Sequence, residues 1–269
     1  MNMTEMIPIR FLLRFLLLLL LLLCATADHA SDPPDQPLLK LDKAGNSDAR
    51  FVKRHEEYLA AAKLGGYQLV VMGDYLSDDF RGHNKNLIGA IFAKAFGAYN
   101  PINLAQGGDY TQHVLWRLNN GELGGYVPKV MMLMIGGTNG SNGDPPDRIL
   151  AGVKAIIVCA REKVPGLRVL LLPVLPWGGP GERRDRHQSV NALLPQLDDG
   201  GKTVLFVDIA HHFLAADGTI PPDIMPDGAH LSERGYQLWA DAVAEPLARL
   251  MQAPSPVAVE SSAGAKDSP

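Results

Sequence analysis

The sequence predicts a three-layer α/β/α domain built on a five-stranded parallel sheet. Three observations lead there. Short apolar runs alternate with longer amphipathic stretches five times over, the pattern of strands joined by helical crossovers. Each run is mostly apolar on both faces and closes on or near Gly, Pro or Asp, as a strand covered from both sides does. The residues with catalytic chemistry follow the runs, at the carboxyl ends of the strands, where open α/β sheets form their sites.

Helical spacing over 49–64 leads into a first strand at 68–72, the run Gln68-Leu69-Val70-Val71-Met72. A helix over 85–96 precedes the second strand, 102–105, and a helix over 110–119 follows it. The third strand is expected at 129–135 with a helix over 148–163, and the fourth at 168–174 with a helix over 182–197. The fifth, 203–208, closes the sheet before a last helix over 232–251, for which Ser232 is the expected N-cap.

Outside this domain, taken as 49–252, composition changes. Arg10 and Arg14 precede an apolar run over 15–23 and the small-residue site Cys24-Ala25-Thr26-Ala27, so residues 1–27 read as a secretory signal peptide. The run is shorter than the ~20 residues that span a bilayer, which favours cleavage after Ala27 over an anchor. The expected destination is the periplasm or the exterior. Residues 28–48, with Pro33, Pro34 and Pro37 among charges, read as a flexible linker, and 253–269 as a disordered tail. The net charge of −4 becomes one more negative on losing Arg10, Arg14 and Glu5, and offers no footprint for nucleic acid. Cleavage also removes Cys24, leaving Cys159 without a disulfide partner and placed as a small core residue.

Four groups mark the strand ends: Asp74-Tyr75, Gly107-Gly108-Asp109, Gly136-Gly137-Thr138-Asn139 and Asp227-Gly228-Ala229-His230. Gly-rich turns expose backbone N–H groups, an Asn amide adds a donor, and an Asp beside a His orients a base. Those are the parts of an acyl-transfer site. Singly, each also fits an ordinary turn; their order along successive strands is what points to chemistry. The glycine-rich stretch 136–143 lacks the Lys and the spacing of a phosphate loop. His211-His212 lack a third ligand and read as surface loop rather than metal site, and Trp116 and Trp239 fall in apolar helical stripes. Trp177, in a Gly-rich loop after the fourth strand, is placed with Asp74 at the border of the pocket, and Arg183, Arg184 and Arg186 on a solvated helix face.

The longest informative text is Asn103-Leu104-Ala105-Gln106-Gly107-Gly108-Asp109, followed by His113-Val114-Leu115-Trp116-Arg117-Leu118 and Asn120-Gly121-Glu122-Leu123. With Gly137-Thr138-Asn139, Val190-Asn191 and Asp227-Gly228-Ala229-His230-Leu231, it resembles the SGNH/GDSL hydrolases, in the branch of the platelet-activating-factor acetylhydrolase catalytic subunits. The resemblance runs from about Gln68 to Leu250. It implies a flavodoxin-like sheet, hydrolysis of acetyl or short acyl esters of lipid or carbohydrate, no cofactor or metal, and pairing as homodimers. It assigns His230 as general base, Asp227 as its orienting carboxylate, and the Gly108 N–H and Asn139 side chain as oxyanion-hole donors. The serine nucleophile would stand directly after Gly73-Asp74, where this chain has Tyr75.

Three readings of that tyrosine stay open. A phenolic nucleophile reaches several ångström further than a serine, and a misplacement of ~1 Å can cost about a hundredfold. A second reading shifts the nucleophile to Ser77, but past a strand-to-helix turn its side chain should point away and cap the segment from Asp78-Asp79. In the third reading no covalent nucleophile exists: Asp227 and His230 activate water weakly, or the fold is a silent carbohydrate- or lipid-binding module with Tyr75 as an aromatic platform.

Overall fold

The computed structural model describes residues 32–82 and 86–254. The signal peptide assigned to 1–27 and the tail from Ser255 lie outside them. Five parallel strands, β1 (Leu69–Gly73), β2 (Pro101–Asn103), β3 (Val130–Met134), β4 (Arg168–Leu171) and β5 (Val204–Phe206), hydrogen-bond in the order β2-β1-β3-β4-β5. Long helices cover both faces: α1 (Ala49–Ala62), α3 (Asn86–Phe96), α4 (Thr111–Asn119), α6 (Pro146–Lys163), α7 (Glu182–Leu193) and α8 (Glu233–Gln252). Two short helices, α2 (Tyr75–Asp79) and α5 (Gly137–Ser141), sit directly after β1 and β3. The fold is the expected α/β/α sandwich. Among the described residues no helix is long and apolar enough to cross a membrane.

Strand alternation explains why both faces of each run are apolar. Val70, Met72, Met131, Leu133, Val169 and Leu171 share one core cluster with Leu118 of α4 and Val153 and Ile156 of α6. Their neighbours Leu69, Val71, Val130, Met132 and Leu170 share the other with Ile88 of α3 and Trp239, Val243 and Leu247 of α8. Period-two side chains thus feed two helical layers at once. Asp48 caps α1 by accepting from the N–H groups of Arg50 and Phe51, and Ser232 caps α8 through the Gly235 N–H. Trp239 is fully buried, whereas Trp116 is half-buried, its ring 5.6 Å from that of Phe51 and 4.9 Å from that of His55.

Residues 32–48 depart from the linker expected over 28–48. They are docked on the domain. Pro34 is buried and its carbonyl accepts from the Thr111 hydroxyl (2.8 Å), the Leu38 N–H donates to the Gln112 carbonyl (3.0 Å), and Lys40 Nζ donates to the Gly108 carbonyl (2.9 Å). Composition suggested solvation, but the contacts are made with residues some seventy positions away, which composition does not register.

Beneath the β2 end lies a buried ionic group. Arg117, fully buried, donates to Asp109 (2.7 Å) and Glu122 (2.5 Å), and Glu122 also meets His55 Nδ1 at 2.8 Å. Burial opposes the guanidinium charge, but Glu122 and then Asp109 outweigh it and hold Arg117 ionised.

Candidate active site

The order β2-β1-β3 reverses the direction of winding between β1 and β3, and such a switch point opens a crevice at the carboxyl ends. β1 ends on Gly73 because nothing larger fits: a Cβ there would sit 2.3 Å from the Met134 carbonyl and 2.3 Å from Ser77 Oγ. Asp74 and Tyr75 then turn the chain into α2.

Asp74 is buried, and the backbone N–H of Thr138 donates to it from across the crevice. Burial raises its carboxyl from 3.8 to about 7, with the Asp109 charge adding to the rise and the Thr138 N–H opposing it. Tyr75 opens α2. Its hydroxyl donates to the Ala229 carbonyl at 2.9 Å, and its ring lies edge-on to His230, centroids 5.7 Å apart at 73°. Burial, then the Asp74 and Asp227 charges, push its phenol well above the usual range, so it stays protonated. A phenol that donates to a carbonyl and offers His230 only its ring is not poised as a nucleophile.

Asp227 and His230 are joined as expected in geometry. Asp227 Oδ1 accepts from the N–H groups of Ala229 (2.9 Å) and His230 (2.7 Å), and Oδ2 lies 2.7 Å from His230 Nδ1. The His230 N–H, its ring and the Ala229 N–H hold this carboxyl far below the ordinary range. An ionised carboxylate only accepts, so Nδ1 carries the proton and Nε2 presents the lone pair of a base.

The two expected oxyanion donors fare differently. Gly107 lies against Tyr75 (a Cβ there would be 3.6 Å from Tyr75 Cβ), but its N–H is taken by Asp78 Oδ2 at 2.9 Å. Gly108 follows at φ +72°, its carbonyl held by Lys40. Asn139 turns inward instead. It is fully buried; its Oδ1 accepts from the Thr111 N–H (3.0 Å), and its Nδ2 donates to Asp144 (2.8 Å) and Gln112 (3.2 Å). Both amide protons are used, so Asn139 as placed here adds no donor to the crevice, which corrects the geometry expected for it. Asn139 sits in the middle of a helical turn over 137–141 that begins after Gly136 at φ +106°, rather than in an open loop.

A cavity of about 270 Å³ opens beside Tyr75, floored by Met134, Ile135, Val174 and Leu175. Asp74, Thr138, Trp177, Arg183, Ser141 and His187 supply its polar and aromatic edge. The structure therefore brings Asp74, Tyr75 and Trp177 to one cavity. It sets His230 and Asp227 beyond the Tyr75 ring, Gly108 on the β2 side, and Asn139 inside the protein.

Ser77 is buried with its Oγ directed at Gly73. It does not cap a segment from Asp78, because α2 has already begun at Tyr75. Sequence reasoning missed the pair Ser141 and His187, 3.2 Å apart, since nothing marks either residue in the text. They form no nucleophile and base. His187 Nε2 also faces the Gly137 carbonyl at 3.1 Å while its buried Nδ1 has no partner. The proton belongs on Nε2, the nitrogen that has an acceptor, and that nitrogen then cannot deprotonate Ser141. Among the described residues no group of three or more His, Cys, Asp or Glu is placed to hold a metal.

Comparison with known proteins fits this geometry. Residues 71–238 match the sequence model of the GDSL-like lipase/acylhydrolase family. The chain is similar to the human platelet-activating factor acetylhydrolase IB subunit alpha1, 33% identical over 221 residues that cover 82% of this chain and 91% of the relative. The rat alpha2 subunit is 28% identical over 223 residues, covering 82% and 93%. In structure the chain is similar to a GDSL-like lipase from Bacteroides thetaiotaomicron, with a TM-score of 0.58 at 17% identity over 75% of this chain and 98% of that one. On a family match spanning more than half its length and a relative this similar, the chain belongs to the GDSL-like lipase/acylhydrolase family.

Proposed function

We propose that this protein is an exported acylhydrolase for acetyl or short acyl esters of lipid or carbohydrate, attenuated by Tyr75. One observation carries the proposal: an Asp227–His230 pair is assembled with a free Nε2 lone pair, yet the Tyr75 ring stands between it and the cavity. The names of the relatives, acetylhydrolase subunits, support a small acyl group. In this reading His230 works on water, with feeble turnover; a triad stripped of one member keeps about 10³–10⁴-fold acceleration.

The test is hydrolysis of 4-nitrophenyl acetate by the parent chain, Tyr75→Ser, and Tyr75→Ser with His230→Ala. Tyr75→Ser should exceed the parent by about a hundredfold or more, and His230→Ala should remove the gain, because base and nucleophile act as a unit. The gain should still fall short of an intact triad. One missing oxyanion donor costs about 10²–10³ in kcat, and Asn139 is engaged elsewhere. A parent as fast as Tyr75→Ser, slowed by Ser77→Ala, would sink the proposal. The second reading, a silent binding module, is favoured by the engaged Asn139 amide; it predicts that Tyr75→Ser stays inert while ligands still bind.

A further inference from the structure

The basic run of α7 is not one solvated face. Arg184 donates to the carbonyls of Gly218 (2.8 Å) and Gly178, and Arg186 to the Gly140 carbonyl (2.7 Å) and to Glu182. Both are structural ties. Arg183 differs: its guanidinium lies 3.9 Å over the Trp177 ring, and among the described residues it has no hydrogen-bonded or carboxylate partner. Arg183 and Trp177 line the same cavity, and the Arg183 charge bears on both the Tyr75 phenol and the His187 ring. Among the described residues the one acidic side chain lining that cavity is Asp74, which is buried.

We propose that this cavity selects small anionic ligands, whose apolar part fills the floor of Met134, Ile135, Val174 and Leu175 while a carboxylate or phosphate pairs with Arg183. A guanidinium presents a planar fork of donors that matches either group, and it is less strongly hydrated than an ammonium. Stacking on Trp177 keeps the fork in place before the ligand arrives, which lowers the ordering cost of binding. The aromatic face and the apolar floor then hold the uncharged part of the ligand. The substrate class would be a short acyl or sugar ester that carries its own negative charge.

This deepens the acylhydrolase reading of the same site but is tested without turnover, on the chain with Tyr75 in place. Benzoate and benzamide share a shape and differ in charge; phenyl phosphate and phenol serve as the phosphate arm. Binding is read by quenching of Trp177 fluorescence, with Trp177→Phe as the control for the signal. Benzoate should bind about tenfold tighter than benzamide, and added salt should narrow the gap. Arg183→Gln should abolish the preference with its melting temperature unchanged, and Arg183→Lys should keep part of it. A larger preference for phenyl phosphate over phenol would name phosphate as the better group; a larger one for benzoate, carboxylate.

Equal affinity for benzoate and benzamide, a preference that survives Arg183→Gln, or no quenching by any of the four ligands would each overturn the proposal. The two readings fail separately. An inert Tyr75→Ser variant with Arg183-dependent benzoate binding removes the esterase and leaves the anion site, and active Tyr75→Ser without charge preference does the reverse.

Discussion

The carboxyl of Asp74, which precedes the Tyr75 phenol, is buried, and burial decides its charge. That carboxyl is raised from 3.8 to about 7, so the folded chain holds a proton that the unfolded chain has released. Its contribution to stability is therefore present at low pH and lost as pH rises from about 4 to about 7. Asp74→Asn lacks that loss. Relative to the parent it should gain stability from about pH 5 to pH 8, by up to about 1.4 kcal/mol for each pH unit crossed below about 7 and by little above it. Denaturant midpoints at the two pH values check this, and an unchanged difference would mean that Asp74 is already ionised at pH 5. The sequence disclosed Tyr75, Asp227 and His230 because their spacing is local and follows strand ends. It left His187 unmarked, because its partners Ser141 and Gly137 lie 46 and 50 positions back. It read Arg183 as part of a solvated face, because a basic run does not announce a stack on Trp177. It aimed Asn139 at the crevice, where a helical turn over 137–141 carries it inside.

Elements were readable where periodicity is long. Each of the five strands and six long helices lies where the apolar pattern placed it, because two covered sheet faces demand an unbroken apolar run and each long helix needs one apolar stripe. The two short helices, α2 and α5, carry no such stripe and were missed, although both carry site residues. The docked segment 32–48 left one trace in the text, a glycine inside a helix. Gly152 of α6 faces that segment so closely that a Cβ would lie 2.6 Å from the Pro34 carbonyl and 2.6 Å from Thr111 Oγ1. Gly152→Ala should destabilise the protein by about 1–3 kcal/mol despite the better helix propensity of Ala. It should also admit protease between residues 32 and 48. A denaturation midpoint equal to or above that of the parent would show that the segment contributes no packing there.

At the scale of the molecule, one sheet order explains why chemistry gathers at one end. Winding reverses between β1 and β3, and the turns after those strands bring Asp74, Tyr75 and Thr138 together. The apparatus is also tied from outside the sheet, since Lys40 of the amino-terminal segment holds the carbonyls of Gly107 and Gly108 at 3.4 and 2.9 Å. If export removes residues 1–27, the mature chain begins at Asp28, only a few residues before that segment docks. Amino-terminal sequencing of the protein recovered outside the cytoplasm should read from Asp28; recovery beginning at Met1 would make the leader an anchor instead.

The bond from the Tyr75 hydroxyl to the Ala229 carbonyl gives the side chain the character of a tethered competitor. A free ligand must give up its translational freedom to sit between His230 and the end of β1, whereas a residue already attached gives up almost none. Its local concentration never falls, and dilution cannot dislodge it. Ligands are thereby directed to the open side of the ring, toward Trp177 and Arg183, and a free phenol offered to a chain with serine at 75 would compete for the seat that the native chain keeps filled.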